Sequence, residues 1–222
     1  MTEDSFTHSE ENYLKAIFHL QHAFPNGVST NSLAVEIKSK ASSVSDMLRK
    51  LSEKKLVKYK KYQGVKLSEK GKNAAVEVIR RHRLWEVFLV EKLNFSWDEV
   101  HSVAEQLEHV KSEKLTRELD GFLDFPRRDP HGDPIPDAQG NFVVSNQLLL
   151  SELEINQVGL LVGVRDSSSE FLQFLTNRKL ILGMKISVRE KEAFDGSMLI
   201  KTNTNELQIS QQVSNNLFIK LL

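Results

Sequence analysis

The first forty residues carry hydrophobic positions at helical spacing, interrupted once by turn residues. From about Ser9 the apolar positions predict a helix, which is broken at residues 24–27 by Phe-Pro-Asn-Gly. A second helix is predicted to begin near Thr30, whose hydroxyl is suited to cap it. The side chains expected to face the core of this region are Tyr13, Leu14, Ile17, Phe18, Leu33 and Ile37.

A third helix and a hairpin follow. The helix is predicted to begin at Ser42 or Ser43 and to bury Val44 and Leu48. Residues 56–67 alternate between apolar and polar side chains on either side of a Gln-Gly pair, which predicts two strands joined by a tight turn. Three helices and a hairpin in this order predict a winged helix-turn-helix, in which the first turn of the third helix enters the major groove of DNA.

Short strands are predicted near the C-terminus, after a segment rich in Pro and Gly at 124–140. The alternating runs 158–164, 185–189, 198–201, 207–209 and 217–221 predict a small β-barrel, with a short helix at 167–175. The expected fold class is mainly α with small β parts. The expected domains are 1–72, 73–142 and 148–222.

Charge is distributed unevenly, although the formal net charge of the 222 residues is zero. Residues 38–72 hold twelve basic and three acidic side chains, a net charge of +9. Such a block is typical of nucleic-acid binding, because Lys and Arg displace counterions from phosphates; a solvated lysine-rich surface is the alternative. The side chains expected to contact double-stranded DNA are Lys40, Ser42, Ser43, Ser45, Asp46, Arg49, Lys58, Lys60 and Lys61.

Composition narrows the possible chemistry. The chain contains no Cys, which excludes disulfides and thiolate metal sites. No apolar run is long enough to cross a bilayer, and the first residues lack the order of a signal peptide. We therefore expect a cytoplasmic protein with no membrane partner.

Imidazole and carboxylate side chains recur at helical spacing in the middle of the chain. On a helix, His101, Glu105, Glu108 and His109 fall within an arc of about 100°, and no Lys or Arg lies among them. Residues 82 and 86, a His and a Glu, repeat the spacing of four. Because these donors suit transition-metal ions, the pattern predicts a metal site; an ordinary amphipathic helix is the alternative.

Seven short segments carry a resemblance to a known family: 9–17, 43–45, 70–71, 81–86, 100–101, 108–110 and 133–136. In them the chain resembles the diphtheria toxin repressor and manganese transport regulator family of metal-dependent transcriptional regulators. The resemblance implies that the first domain binds operator DNA and that a helical second domain forms a homodimer. It also implies that the third domain is similar to an SH3 barrel.

The resemblance further implies two metal positions. One is similar to a site built from His82, Glu86 and His101, with a third-domain side chain near Glu170. The other is similar to a site built from Glu105, Glu108 and His109, with Asn12 from the first helix. Two alternatives stay open: Asn12 is equally compatible with an exposed helix residue, and Ser167-x-x-Glu170 is also a helix-capping pattern.

Two departures from the family pattern bear on the choice of metal. Glu105 stands where iron-sensing relatives have Cys, and Asn12 stands where relatives have Met or Asp. Since oxygen donors favour harder ions, we expect Mn(II) in preference to Fe(II). In the segment 124–140, Asp129 and His131 are candidate metal ligands, but we favour the alternative of solvated loop residues.

The sequence therefore predicts a homodimeric repressor of metal-ion homeostasis genes that binds operator DNA when activated by Mn(II) or Fe(II). It is not expected to be an enzyme. The alternative is a metal-dependent enzyme or a metal-storage protein that uses the His/Glu cluster. The sequence has no His-Glu-x-x-His motif, and an enzyme would leave the basic block unexplained.

Overall fold

The computed structural model describes residues 6–60, 64–143, 146–203 and 205–222. The chain groups into two compact units, each discontinuous in sequence. The first comprises Met1–His82, Glu105–Glu113 and Pro136–Asn141, and the second comprises Arg83–Ala104, Lys114–Ile135 and Phe142–Leu222. The division into three domains at the boundaries given above stays a prediction.

Three helices begin the first unit: α1 (His8–Ala23), α2 (Thr30–Glu36) and α3 (Ala41–Glu53). A capping box closes the start of α1, where Thr7 accepts from the backbone of Glu10 and the Glu10 carboxylate accepts from the backbone of Thr7. The residue that caps α2 is Ser29, which accepts from the amide of Ser32. The prediction of Thr30 as the cap was wrong by one position, because Ser29 is the last extended residue before the helix.

The third helix begins at Ala41, one residue before the predicted start, because Lys40 is the last residue in an extended conformation. Strands β1 (Val57–Lys60) and β2 (Gly64–Leu67) pair in antiparallel register and form the predicted wing. Gly64 has φ +84°, and a Cβ there would lie 2.9 Å from the carbonyl oxygen of Val28. Only glycine allows this approach, which holds the wing against the segment that follows α1.

The core of the first unit confirms the helical pattern read from the sequence. Helix α3 buries Val44, Leu48 and Leu51 on one face, and the wing contributes Val65. The other fully buried side chains of this core are Leu14, Ile17, Val28, Leu33 and Leu56. Burial of a Leu or Ile contributes about 1.5–3 kcal/mol, so this core is the main support of the winged helix.

Three further helices follow: α4 (Glu69–Leu93), α5 (Val100–Leu107) and α6 (Glu113–Phe122). Helix α5 ends before Glu108, so the prediction that Glu108 and His109 continue its polar face was wrong. Both residues lie in a turn, where the carbonyl of Glu108 accepts a 2.6 Å hydrogen bond from Nε of Arg81 instead of continuing the helix. No helix among the described residues is long and apolar enough to cross a membrane.

The C-terminal part is a six-stranded antiparallel sheet in the order β3-β8-β4-β5-β6-β7, with β3 and β7 at its edges. Its strands are β3 (Leu148–Leu149), β4 (Val158–Val164), β5 (Lys185–Lys191), β6 (Met198–Lys201), β7 (Glu206–Ile209) and β8 (Leu217–Leu221). Two helices, α7 (Ser169–Asn177) and α8 (Gln211–Ser214), accompany the sheet. The mainly α fold with an SH3-like β part is confirmed, although the sheet is open in the described residues.

Candidate functional site

One face of α4 carries the first predicted metal position. His82 and Glu86 are one turn apart on this helix and both are buried. His101, on α5, is half exposed, and its Nδ1 lies 3.3 Å from Oε1 of Glu86. Glu86 therefore has one predicted histidine partner on its own helix and another on α5.

The Pro-rich segment brings two further donors to Glu86. Asp129 is 6% exposed and His131 is 4% exposed, so the expectation of solvated loop residues was wrong. The Nδ1 atom of His131 lies 3.6 Å from Oε2 of Glu86. One ligand atom from each of Glu86, Asp129 and His131 lies within 4.8 Å of the other two. We call these three residues the buried triad.

Two arginines of α4 bind the backbone of the Pro-rich segment. Arg80 donates to the carbonyl of Pro136 at 2.5 Å, and Arg83 donates to the carbonyl of Pro134 at 2.6 Å. Ile135, between the two prolines, is buried in an apolar cluster with residues of α4 and α6. Prolines donate no backbone hydrogen bond, but their carbonyls accept strongly from guanidinium groups. In the sequence, the residues that make this contact are Arg80 and Arg83 and the Asp-Pro-Ile-Pro segment at 133–136.

Electrostatics couple the members of the buried triad. Burial, together with the charges of Glu86 and Asp133, raises the pKa of Asp129 to about 7. Burial alone would lower the pKa of His131, but its hydrogen bond to Glu86 and the Glu86 charge outweigh this and raise the pKa to about 9. Arg83 supplies a cation, with Nε 3.4 Å from Oδ2 of Asp129. At neutral pH the triad therefore holds protons that a divalent ion would displace.

The second predicted metal position has a different environment. Lys15 of α1 places Nζ 2.7 Å from both carboxylate oxygens of Glu108 and 3.7 Å from Glu105. Nδ1 of His82 lies 2.6 Å from Oε2 of Glu108. Burial would raise the pKa of Glu108, but His82 and Lys15 outweigh burial and the pKa is lowered. Glu108 is thus a buried carboxylate already compensated by the protein.

His109 is held in the same region by α1. Its Nδ1 lies 2.7 Å from Oε2 of Glu11, and its ring stacks on His8 with centroids 4.3 Å apart. Oε1 of Glu11 pairs with Arg81 at 3.0 Å. Asn12 is exposed. Within the described ranges, both groups of three potential ligands contain Glu86, and neither contains a residue of the second predicted position.

Glu170 is exposed in the first turn of α7 and belongs to neither group of potential ligands in the described part of the chain. The alternative capping box does not form, because the N-cap is Ser168 and it makes no side-chain cap hydrogen bond. The amide of Ser168 donates instead to Asp166 at 2.9 Å. The role of Glu170 as a ligand stays a prediction.

Helix α3, the predicted recognition helix, carries most of the side chains that are expected to contact DNA. Ser42 and Ser43 are exposed, and Ser45 donates to the carbonyl of Ala41. Asp46 and Arg49 form an exposed ion pair at 3.1 Å. Lys40 is exposed just before the helix and leaves its N-terminus without a side-chain cap. A cleft of about 360 Å³ beside this turn is lined by Ser29, Thr30, Asn31, Ala41, Ser45, Tyr59 and Gly64.

The wing separates its charged and packed side chains. Lys58 and Lys60 are exposed on one face of β1, whereas Val57 is buried and Tyr59 packs against the core of the first unit. Lys61 lies outside the described residues. The first strand of the hairpin thus exposes the ammonium groups of Lys58 and Lys60 on one face.

Three family models match successive segments that together cover most of the chain. Residues 5–65 match the family "Iron dependent repressor, N-terminal DNA binding domain", and residues 68–137 match "Iron dependent repressor, metal binding and dimerisation domain". Residues 148–221 match the FeoA domain. A winged helix followed by helices with a His/Glu cluster defines the class of metal-dependent regulators.

Individual relatives agree with this class. The iron-dependent repressor IdeR of Mycobacterium tuberculosis is 32% identical over 126 residues, which cover 57% of this chain and 54% of its own. A solved manganese-dependent transcriptional repressor in complex with manganese has a TM-score of 0.86 and 33% identity, covering 96% of this chain and 100% of that chain. The manganese regulator SloR has a TM-score of 0.76 at 33% identity, covering 96% and 98%.

The chain belongs to the iron-dependent repressor family, which includes relatives named for iron and relatives named for manganese. It carries a FeoA domain as its SH3-like part. The chain spans about half the length of the curated relatives it matches first.

Proposed function

We propose that this protein is a metal-activated, DNA-binding transcriptional repressor of metal-ion homeostasis genes. The observation that carries the proposal is that one chain combines a basic winged helix with a buried cluster of imidazole and carboxylate donors around Glu86. The proposal includes no catalytic activity, and the relatives of this chain are named as repressors. It locates the protein in the cytoplasm, with the three domains 1–72, 73–142 and 148–222.

The donor set around Glu86 fits a divalent ion. His82, Glu86 and His101 are the proposed ligands. His131 supplies a further donor beside the other oxygen of Glu86, and Asp129 has a ligand atom within 4.8 Å of both. All these atoms are nitrogen or oxygen, and the chain has no Cys. A bound ion would supply the positive charge that two buried carboxylates require. The absence of thiolate donors supports Mn(II) over Fe(II), and Glu170 is proposed as an additional ligand.

A second ion is proposed at Glu105, Glu108 and His109, with Asn12. Lys15 compensates Glu108 in this structure, so an ion there requires the ammonium group to move away. Glu11 likewise holds His109. Binding at this position is therefore proposed to be weaker than at Glu86.

The mechanism is linkage between these positions and the DNA-binding surface. Lys15 and Glu11 lie on α1, the first helix of the winged domain, and contact Glu108 and His109 directly. A change in the charge or position of Glu108 therefore acts on α1. If the DNA-competent arrangement binds metal more tightly, metal shifts the population towards it by that difference in affinity.

Two copies are proposed to read a palindromic operator, with half-sites about one helical turn apart or a multiple of it. The first turn of α3 meets base edges, through Ser42, Ser43, Ser45 and Asp46. The ammonium and guanidinium groups meet phosphates, through Lys40, Arg49, Lys58, Lys60 and Lys61. Exposure of the described members of this set other than Ser45, which is half-buried, supports the assignment.

Selection of genomic fragments on the purified protein tests the proposal. Binding is measured at one fixed salt concentration with Mn(II), with Fe(II) under anaerobic conditions, and with EDTA. We expect the same promoter fragments to be enriched with metal and lost with EDTA. Enrichment that is indifferent to metal, or no enrichment at all, would contradict the proposal.

The wing is tested on an enriched fragment. Replacing both Lys58 and Lys60 by Ala removes two phosphate contacts from each protomer, or four from the proposed dimer, so the slope of log affinity against log salt is expected to fall by about 3.6. The double variant is compared with Lys185→Ala, an exposed lysine of β5. An unchanged slope would remove the wing from the interface.

A further inference from the structure

We infer that the C-terminal FeoA domain holds the imidazole of His131 in its ligand position, so that docking of this domain and metal binding at the buried triad are energetically linked. The inference rests on the proposed function, because it takes the triad to bind metal. It concerns a positioning role for Gly132, Trp97 and strand β4, none of which donates a ligand atom in the proposed site.

Strand β4 contacts the backbone of the triad loop directly. The amide of Val164 donates to the carbonyl of His131 at 2.9 Å. Gly132 has φ +90°, and a Cβ there would lie 2.2 Å from the carbonyl oxygen of Val162 and 2.4 Å from Cα of Gly163. Two stretches of main chain therefore meet with no space for a side chain. The backbone of His131 is fixed by the FeoA domain.

The ring of His131 is fixed through Trp97. Nε2 of His131 lies 2.7 Å from the carbonyl oxygen of Trp97, which leaves Nδ1 directed at Glu86. The indole of Trp97 donates to Oγ1 of Thr176 on α7 at 2.9 Å and packs against the apolar core of the FeoA domain. A metal-binding histidine is commonly oriented by a hydrogen bond to its other nitrogen.

The segment around Trp97 is clamped to the same helix. Gln173 donates to the carboxylate of Asp98 at 2.9 Å, and Ser169 donates to the Asp98 carbonyl at 2.7 Å. Hydrogen bonds from Gln173 and Ser96 lower the pKa of Asp98, so its carboxylate accepts as an anion. Both supports of His131, its backbone and its Nε2 partner, thus depend on the docked FeoA domain.

Linkage makes the relation reciprocal. Undocking would release the His131 carbonyl and the Trp97 carbonyl together, which would lower metal affinity at the triad. A metal that binds only the oriented imidazole would stabilise the docked domain by the same free energy. The FeoA domain would then report on the metal without donating a ligand.

Gly132→Ala in the full chain is the primary test, read by the affinity for Mn(II). The matched control is Gly183→Ala, because Gly183 has φ +83° but nothing within 4 Å of its Cβ position. Both variants carry the same backbone strain, and only Gly132→Ala separates β4 from the loop. We expect an affinity loss of about 10-fold to 100-fold for Gly132→Ala, the range for partners that orient a ligand, and little change for Gly183→Ala.

His131→Ala separates failure of this inference from failure of the proposed site. If His131→Ala loses Mn(II) affinity and Gly132→Ala keeps it, the positioning role is overturned and the metal site stands. If His131→Ala binds Mn(II) as the unchanged protein does, the triad is not a metal site and the inference fails, whereas the proposed ligands His82, Glu86 and His101 are tested separately by Glu86→Gln.

Amide hydrogen exchange of the unsubstituted protein gives a second readout that does not depend on a variant folding. Saturation with Mn(II) is expected to slow exchange at the Val164 amide and across Ser169–Asn177. Thr176→Val, which removes the acceptor of the Trp97 indole, is expected to diminish this protection. Exchange at Val164 that is the same with and without Mn(II) would overturn the inference.

Discussion

Glu86 and Glu108 are both buried carboxylates beside histidines, yet they are neutralised in different ways. Glu86 faces His101 on one oxygen and His131 on the other, with a second carboxylate, Asp129, nearby. The ammonium group of Lys15 contacts both carboxylate oxygens of Glu108, and Nδ1 of His82 contacts one of them. A metal at Glu86 would displace protons, whereas a metal at Glu108 would have to displace a side chain.

This difference shows why residue type alone does not define a metal site. A buried carboxylate needs a compensating charge, and a lysine, a protonated histidine or a metal ion each supplies it. The imidazole and carboxylate pattern is similar at the two positions. At Glu108, Lys15, which is far away in the sequence, already forms an ion pair with the carboxylate.

The largest expected effect is that of Glu86→Gln. Glu86 belongs to both groups of potential ligands, so its loss should lower Mn(II) affinity at this centre by on the order of 100-fold or more. Isothermal titration measures the change against Glu91→Gln, an exposed carboxylate on the same helix. Unchanged affinity in Glu86→Gln would reverse the comparison and make Glu108 the principal position.

The second effect is a dependence of metal affinity on pH. Because the pKa of His131 is raised to about 9, metal must displace its proton at any lower pH. Apparent affinity should therefore fall about 10-fold for each unit of pH below about 9. The decrease should steepen below about 7, where Asp129 also gains a proton. Manganese titrations between pH 6 and pH 9 measure the slope.

His131→Gln provides the control for this slope. Without the imidazole, the steep dependence between pH 7 and pH 9 should disappear. A slope that persists in this variant would assign the displaced proton to another group.

The third effect is that of Lys15→Met, which removes the cation from Glu108. The metal-free protein should lose about 3 kcal/mol of unfolding free energy, because the buried carboxylate of Glu108 loses the ammonium group that contacts both of its oxygens. Metal should restore part of this loss, and affinity at Glu108 should rise about 10-fold since no ammonium needs to move. Denaturant unfolding with and without Mn(II) measures both changes.

Lys72→Met, which replaces an exposed lysine of α4, should change neither quantity. If Lys15→Met lowers stability equally with and without Mn(II), no ion takes the place of the ammonium group. The proposed second position would then be wrong.

The smallest effect is that of Thr7→Ala. It removes the cap of α1, which carries Glu11 and Lys15, and should cost about 1 kcal/mol of stability. Binding at Glu108 should change while binding at Glu86 does not. Ser29→Ala, which removes the cap of α2, is the matched variant. Equal changes in metal binding from both variants would show that general destabilisation is the cause.

The winged helix and the C-terminal strands could be predicted from the sequence because their patterns are local. Helical spacing in α1 and α3 and alternation in β4 and β8 each reflect one buried face. The end of α5 could not be predicted in this way. At this end the carbonyl of Glu108 accepts a hydrogen bond from Arg81, which lies on α4 and is not part of the local pattern of α5.

The candidate site was predictable only in part. His82, Glu86 and His101 follow from spacing and resemblance, and Glu86 does lie beside His101, whose Nδ1 is 3.3 Å from its Oε1. Asp129 and His131 were considered as ligands, but the solvated-loop interpretation was preferred because a Pro- and Gly-rich segment is usually a solvated loop. Its burial depends on arginines about fifty residues earlier in the chain, and those bonds leave no periodic signal.

A titration of Mn(II) into the protein and a labelled operator fragment, followed by fluorescence anisotropy at one salt concentration, tests the central claim most directly. The account predicts that DNA binding appears with Mn(II), is abolished by EDTA, and requires much more Mn(II) in Glu86→Gln than in Glu91→Gln. DNA binding of equal strength in EDTA and in Mn(II) would contradict it.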